Sequence, residues 1–296
     1  MIIKEKVNEV YPISVILDDT KDDYYINIKK GMDAAAVKYN VDINFITLYD
    51  YQLDKQMDII REEEKAGSRG ILLVPINTRL AGRRLEDNHI QIPLLLLGEK
   101  LTAYEYNNVG IDYSEAAAKL AYKIIGSYDL DTTINIFSKG LDYQGEKNAY
   151  EILIAKLSNA GYSIKLNLGS DNDNNFRSVI ESEASINGED MVIVSLDKNS
   201  TTIVAKLLSD GSLPNNHVKG VYGIGSTTYL LNMMDKDIID GLVVWNEYDQ
   251  GYMAVKGIID KITSPGSDNS IKLNSYYITK EDIRDEMYQV MLYPVD

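Results

Sequence analysis

The sequence predicts an α/β protein built as two doubly wound, parallel-sheet lobes. Three observations predict it. Short apolar runs alternate with helix-period segments along the whole chain. About ten such strand–helix units are present, too many for one small open sheet. The chain has 296 residues, enough for two domains at roughly 100–200 residues each.

The elements read as follows. Residues 13–17 form a buried strand, and Tyr25, Ile28, Met32, Ala35 and Tyr39 recur at helical spacing after it. Residues 43–48 form the next strand, with less uniformly apolar faces. Leu53, Met57 and Ile60 mark a helix that Gly67 stops. Residues 71–74 and 94–97 are further strands. The pattern then repeats. A strand at 134–137 precedes a helix through Ala149, Leu153 and Leu157, with Gly161 after it. A strand at 191–194 precedes a helix through Ile203 and Leu207. A short strand at 221–222 precedes a helix through Leu230 and Met233. A strand at 242–245 precedes a helix through Ala254, Ile258 and Ile262. Continuous apolar strands between amphipathic helices argue for parallel sheets covered on both faces. No low-complexity linker separates the lobes, as expected where several short crossings join them.

Composition excludes several classes. Apolar residues make up 45% and charged residues 25%, ordinary values for a globular protein. The net charge of −15 is spread along the chain. A nucleic-acid surface needs clustered Lys and Arg, and the densest basic run, residues 79–84, is short. No cysteine is present, so disulfides, thiolate metal sites and cysteine nucleophiles are out. No run of about 18 apolar residues occurs, and residues 1–10 lack the apolar core of a signal peptide. About a dozen residues precede Ile13, too few for a helix-turn-helix module.

In open parallel sheets, ligands bind beyond the carboxyl ends of the strands. That rule selects the loops at residues 18–25, 75–77, 98–100, 138–144, 196–198, 223–226 and 246–248. They hold aromatics, amides and carboxylates. Aromatic faces pack on the C–H surface of a sugar, while amides and carboxylates bind its hydroxyls. The same residue types also cap helices and make turns. Catalytic patterns are missing. His89 and His217 fall between a helix and the next strand, at the opposite end of the sheets. Gly223-Ile224-Gly225-Ser226 lacks the third glycine and the lysine of a phosphate loop and reads as a tight turn. Asp18, Asp22 and Glu99 are candidates for an acid–base pair by location only. No loop has the spacing of a calcium-binding hand, so neither a metal nor a cofactor is expected.

The chain resembles the type I periplasmic solute-binding family, in particular its ribose-binding-like branch, from about Pro12 to Tyr293. The carrying segments are Asp22-Asp23-Tyr24-Tyr25 followed by Gly31, then Gln56, then Gly70-Ile71-Leu72-Leu73-Val74-Pro75-Ile76-Asn77. They continue with Val109-Gly110-Ile111-Asp112, Lys147-Asn148-Ala149-Tyr150, Val194-Ser195-Leu196-Asp197, Gly241-Leu242-Val243-Val244-Trp245-Asn246 and Tyr277-Ile278-Thr279. The resemblance implies two α/β lobes joined by three hinge crossings and closing on a ligand. It divides the chain into 11–111 with 246–276, and 112–245 with 277–296, leaving 1–10 as a leader or stalk remnant.

It also implies a ligand set: Asp22, Tyr24, Tyr25, Asn77, Glu99, Lys147, Asn175, Asp197 and Asn246. Tyr25 falls on the apolar stripe of its helix, so Tyr24 is the better ligand candidate. Departures from the branch are clear. Glu99 and Lys147 stand where it carries arginines, Gly98 and Gly225 replace acidic anchors, Asp197 replaces an asparagine, Asn246 a glutamine, and Asn175 an aromatic. The expected ligand is therefore a sugar other than ribose. An amino sugar is the alternative raised by Asp22, Glu99 and Asp197. The implied role is a monomeric, non-enzymatic, extracytoplasmic binding protein that presents its ligand to a membrane permease. The alternative is the sensing ectodomain of a signalling receptor.

Overall fold

The protein is described by a computed structural model covering residues 9–18, 23–49, 52–169, 173–183, 190–211, 213, 215–264, 266 and 270–294. In chain order the elements begin with β1 (Tyr11–Leu17), α1 (Asp23–Tyr39), β2 (Val41–Thr47), α2 (Leu53–Ala66), β3 (Ile71–Leu73), α3 (Thr78–Asp87), β4 (Leu94–Leu97) and β5 (Asn108–Ile111). Next come α4 (Tyr113–Ile124), β6 (Thr133–Ser138), α5 (Gln144–Asn159), β7 (Ser163–Leu168), α6 (Asp173–Ser182), β8 (Met191–Ser195), α7 (Lys198–Ser209), β9 (Val218–Ile224), α8 (Thr228–Asp235) and β10 (Gly241–Trp245). The chain ends with α9 (Glu247–Thr263), β11 (Ile271–Leu273), β12 (Ser275–Ile278) and α10 (Glu286–Leu292).

Two compact units result. Among the described residues, one gathers the chain up to Gly110 with Glu247–Lys272, the other Ile111–Asn246 with 273–294. The first holds the sheet β2-β1-β3-β4-β5-β11, the second the sheet β7-β6-β8-β9-β10-β12. The same doubly wound order is thus used twice. The expected boundary at residue 276 is displaced. β12 pairs antiparallel with β10, from Leu242 against Ile278 to Trp245 against Ser275, so residues 275–278 belong to the second sheet as one strand. The two doubly wound, parallel-dominated lobes are as expected, and an antiparallel edge strand closes the second sheet.

Burial explains the strand patterns. In β1 the run Ile13, Val15, Ile16 and Leu17 is buried, because β2 and β3 flank it in register and helices cover both faces. β2 and β7 are edge strands with alternating or half-buried residues. β7 and α6 were not predicted as elements. α6 owes its place to Phe176 and Ile180, which enter the second core, with the Phe176 ring edge-on to Phe137 at 4.8 Å between centroids. Three apolar residues, Phe176, Val179 and Ile180, in a polar decapeptide are a weak periodic signal. α2 stops as expected: Gly67 adopts φ 99° and its neighbour Ser68 donates to Glu63 O at 3.0 Å.

In the first unit, α1 and α9 touch backbone to backbone. A Cβ on Gly31 would lie 1.9 Å from Tyr248 O, and one on Gly251 would lie 1.9 Å from Ile28 O. No side chain fits at either point without separating the helices. Gly251→Ala should therefore lower stability by about 1–3 kcal/mol or more, read as a lower urea midpoint. Gly140→Ala, which would meet nothing within 4 Å, should change it by no more than about 1 kcal/mol. Equal midpoints for the two variants would contradict the packing.

Candidate functional site

Because each helix returns against its parallel strand, helix N-termini gather at the carboxyl ends of the strands. In the first unit β1 runs into Asp18, and α1 opens with Tyr24 and Tyr25 in its first turn. Tyr25 is 7% exposed, and its hydroxyl donates to Asp18 Oδ1. Tyr24 is half-buried, with its ring edge-on to Tyr25 at 4.8 Å between centroids. Its hydroxyl donates to Gln250 Oε1 at 3.1 Å, and Gln250 Nε2 donates to Val109 O at 3.1 Å. Gln250 is 1% exposed, so the phenol is held by a buried amide that is itself tied to β5. Asn27 reinforces the turn by donating to buried Glu247 Oε2 at 2.9 Å. Tyr25 thus acts as a support, and Tyr24 is the more accessible ring. Asp22 lies outside the described residues.

The next turns follow along the same sheet edge. Gln56, 1% exposed, donates to Val74 O at 2.8 Å and accepts from Ile76 N at 3.4 Å. A glutamine on α2 therefore shapes the turn after β3. Asn77 caps α3, its Oδ1 accepting from Arg79 N and Leu80 N at 3.0 Å each. After β4, Gly98 takes φ 95°, a conformation glycine adopts without a Cβ clash. Asn108 Nδ2 holds the Gly98 carbonyl at 2.8 Å. Half-buried Glu99 follows directly.

The second unit repeats the plan. Ser138 ends β6, and its hydroxyl bonds Gly140 O at 2.6 Å and Glu146 Oε2 at 3.0 Å. Glu146 is a buried carboxylate in the first turn of α5. Its neighbour Lys147, the residue expected at the site, is exposed. A glutamate at the third helical position was the available signal. Asp197 caps α7: Oδ1 accepts from Ser200 N at 2.8 Å and Oδ2 from Ser200 Oγ at 2.6 Å. Asn175 is exposed in α6 and donates to Leu168 O at 3.3 Å. Asn246 is half-buried directly after β10. All eight described candidates lie past carboxyl ends of strands or in the first turn of the helix that follows. Asn77 and Asp197 do so as helix caps.

The histidines sit elsewhere. His217 and Asp190 precede β9 and β8, joined at 3.1 Å between Nδ1 and Oδ1. That hydrogen bond, more than the nearby Lys219, holds the Asp190 carboxyl below its usual range. His89 precedes β4 with φ 50°. Among the described residues no group of three His, Asp or Glu could hold a metal ion, and no helix is long and apolar enough to cross a membrane. Two of the three arginines of α3 face carboxylates at the surface: Arg84 lies 3.2 Å from Asp54 and Arg83 3.8 Å from Asp87.

A family model described as periplasmic binding protein domain matches residues 13–264. The chain belongs to the periplasmic binding protein domain family. No curated protein sequence matches it. Solved structures share its fold. A carbohydrate transporter solute-binding protein of Agrobacterium radiobacter, in complex with D-arabinose, superposes with a TM-score of 0.83 at 14% identity, over 95% of this chain and 98% of that one. An ABC transporter solute-binding protein of Agrobacterium vitis, bound with α-D-tagatopyranose, gives 0.83 at 16% identity, over 96% and 100%. A glucose-galactose binding protein of Geobacillus stearothermophilus gives 0.80 at 16% identity, over 93% and 99%.

Asp197 offers a test of which job its carboxylate does. Asp197→Ala removes the cap and should cost about 0.5–2 kcal/mol of stability, read by chemical denaturation. Asp197→Ser retains a capping oxygen and should recover most of that loss. If both variants were as stable as the parent, the cap would contribute nothing.

Proposed function

We propose that this periplasmic binding protein family member is a non-enzymatic receptor for a small neutral monosaccharide or close derivative, acting outside the cytoplasm. In this reading it delivers its ligand to an ABC-type membrane permease. Family membership across residues 13–264, spanning most of both units, is the observation that carries the reading. The proteins of similar fold support it, since those described above are sugar-binding or carbohydrate-transport proteins.

Within the first unit the proposed ligand groups are Tyr24, Tyr25, Asn77 and Glu99, with Asp22 before them. In the second they are Lys147, Asn175, Asp197 and Asn246. Tyr24 is the residue with most to offer. A ring fixed by Tyr25 and Gln250 can face a sugar's C–H surface with little further loss of freedom. One of the three carboxylates that raise the amino-sugar alternative is already committed to the fold. Both Asp197 oxygens already accept hydrogen bonds from Ser200, so that carboxylate has less left to give a cation.

A thermal-shift screen tests this, because a ligand that binds only the folded state raises its melting temperature. D-Arabinose, D-tagatose, D-glucose, D-galactose and myo-inositol should include at least one compound that raises Tm, with little dependence on salt. Tyr24→Ala should weaken that ligand at least about tenfold, or 1.4 kcal/mol, while the unliganded protein stays folded. A shift with amino sugars alone, abolished by salt, would replace the neutral-sugar reading. Unchanged affinity in Tyr24→Ala would remove Tyr24 from the site.

A further inference from the structure

The second unit carries a groove that the sugar-binding reading does not use. It runs beside α4, β12 and the end of α5, has a volume of about 720 Å³, and has mostly apolar walls. That volume lies within the range of small-molecule sites. Tyr276, Tyr277 and Tyr288 form one side. The Tyr276 and Tyr288 rings meet edge-on at 6.0 Å between centroids. Burial pushes the Tyr277 phenol up to about 12. Tyr122 on the facing helix and Ile125 just after it are 78% and 40% exposed, apolar surface open to a ligand.

The charge of the groove runs against the rest of the molecule. The chain carries −15, yet three lysines line this groove, Lys119, Lys123 and Lys156, against the single carboxylate of Glu115. Glu115 is paired with Lys119, which also donates to Ser275 O at 2.8 Å. Lys123 places its ammonium 5.0 Å from the centre of the Tyr277 ring, a cation presented on an aromatic wall. Lys123 and Lys156 also lie in the last turns of α4 and α5, where a lysine complements the helix dipole. Each dipole end amounts to only about half a negative charge, so the lysines set the sign along the α4 and α5 wall, while Asp240, Asp282 and Asp285 act on Tyr277 and Tyr288 from beyond the lining.

We propose that this groove is a second binding site, for a small aromatic carboxylate. The ring would lie among Tyr122, Tyr276 and Tyr288, and the carboxylate would meet Lys123 and Lys156. An apolar body with one anionic end matches both features; a neutral sugar matches neither. The site lies on a helix flank of the second unit, and its occupancy is independent of the carboxyl-end loops.

Titration of ¹⁵N-labelled protein with 2-naphthoate tests this, with the neutral isostere 2-naphthalenemethanol as comparison. Saturable shifts should cluster in residues 115–125, 156–159 and 275–288. The neutral isostere and the Lys123→Gln/Lys156→Gln variant should each bind at least tenfold more weakly. A saturating sugar at the other site should leave naphthoate affinity unchanged. Equal binding of the neutral isostere, undiminished affinity in the double variant, shifts centred elsewhere, or no saturable binding would each overturn the proposal. Both substituted lysines are exposed, so the variant should stay folded, and its unchanged urea midpoint would show it.

Discussion

Parallel strand pairing is the constraint on which the rest of this structure depends. Once β1 lies parallel between β2 and β3, and β6 between β7 and β8, every connecting helix must return to the far end before the next strand begins. Helix N-termini therefore collect at the carboxyl ends of both sheets. The turns there are short, so the residue that ends the turn is often the one that caps the helix. Asn77 after β3, Asp197 after β8 and Thr227 after β9 all do this. Polar residues at these turns serve the fold before they serve a ligand. A ligand group arriving there meets side chains already oriented by the backbone.

The aromatic turn at α1 shows how such orientation is extended. Tyr24 is not held by its own helix alone. Gln250 on α9 receives its hydroxyl and passes the constraint to Val109 on β5. That link requires α9 to approach α1 closely, and Gly31 and Gly251 permit the approach. Two glycines, a buried amide and a phenol thus act as one unit although they are more than 200 positions apart in the chain. Loss of the helix contact would be felt at the ring.

Much of this was legible in the sequence, for identifiable reasons. Fully buried strands such as β4, with four consecutive leucines, announce themselves. Edge elements do not: β7 is half-polar, and α6 shows two core residues in ten. The antiparallel β12 carries no local mark, because strand direction follows from where the chain re-enters the sheet. At the candidate site, residue types and their loops could be read, and the preference for Tyr24 over Tyr25 followed from the helix stripe. What could not be read was division of labour. A capping Asp197 and a ligand-binding Asp197 have the same spelling, and Gln250 and Glu146 gained their roles through partners on other elements.

The function proposed for this protein requires the carboxyl-end turns to bind a monosaccharide. Hydrogen–deuterium exchange with and without the sugar that stabilises the protein most tests this directly. Protection should appear in residues 24–28, 74–78, 97–100, 138–147 and 196–200, with no change before β4, β8 and β9, where His89, Asp190 and His217 lie. Protection at those amino-end loops, with none at the carboxyl-end turns, would contradict the account.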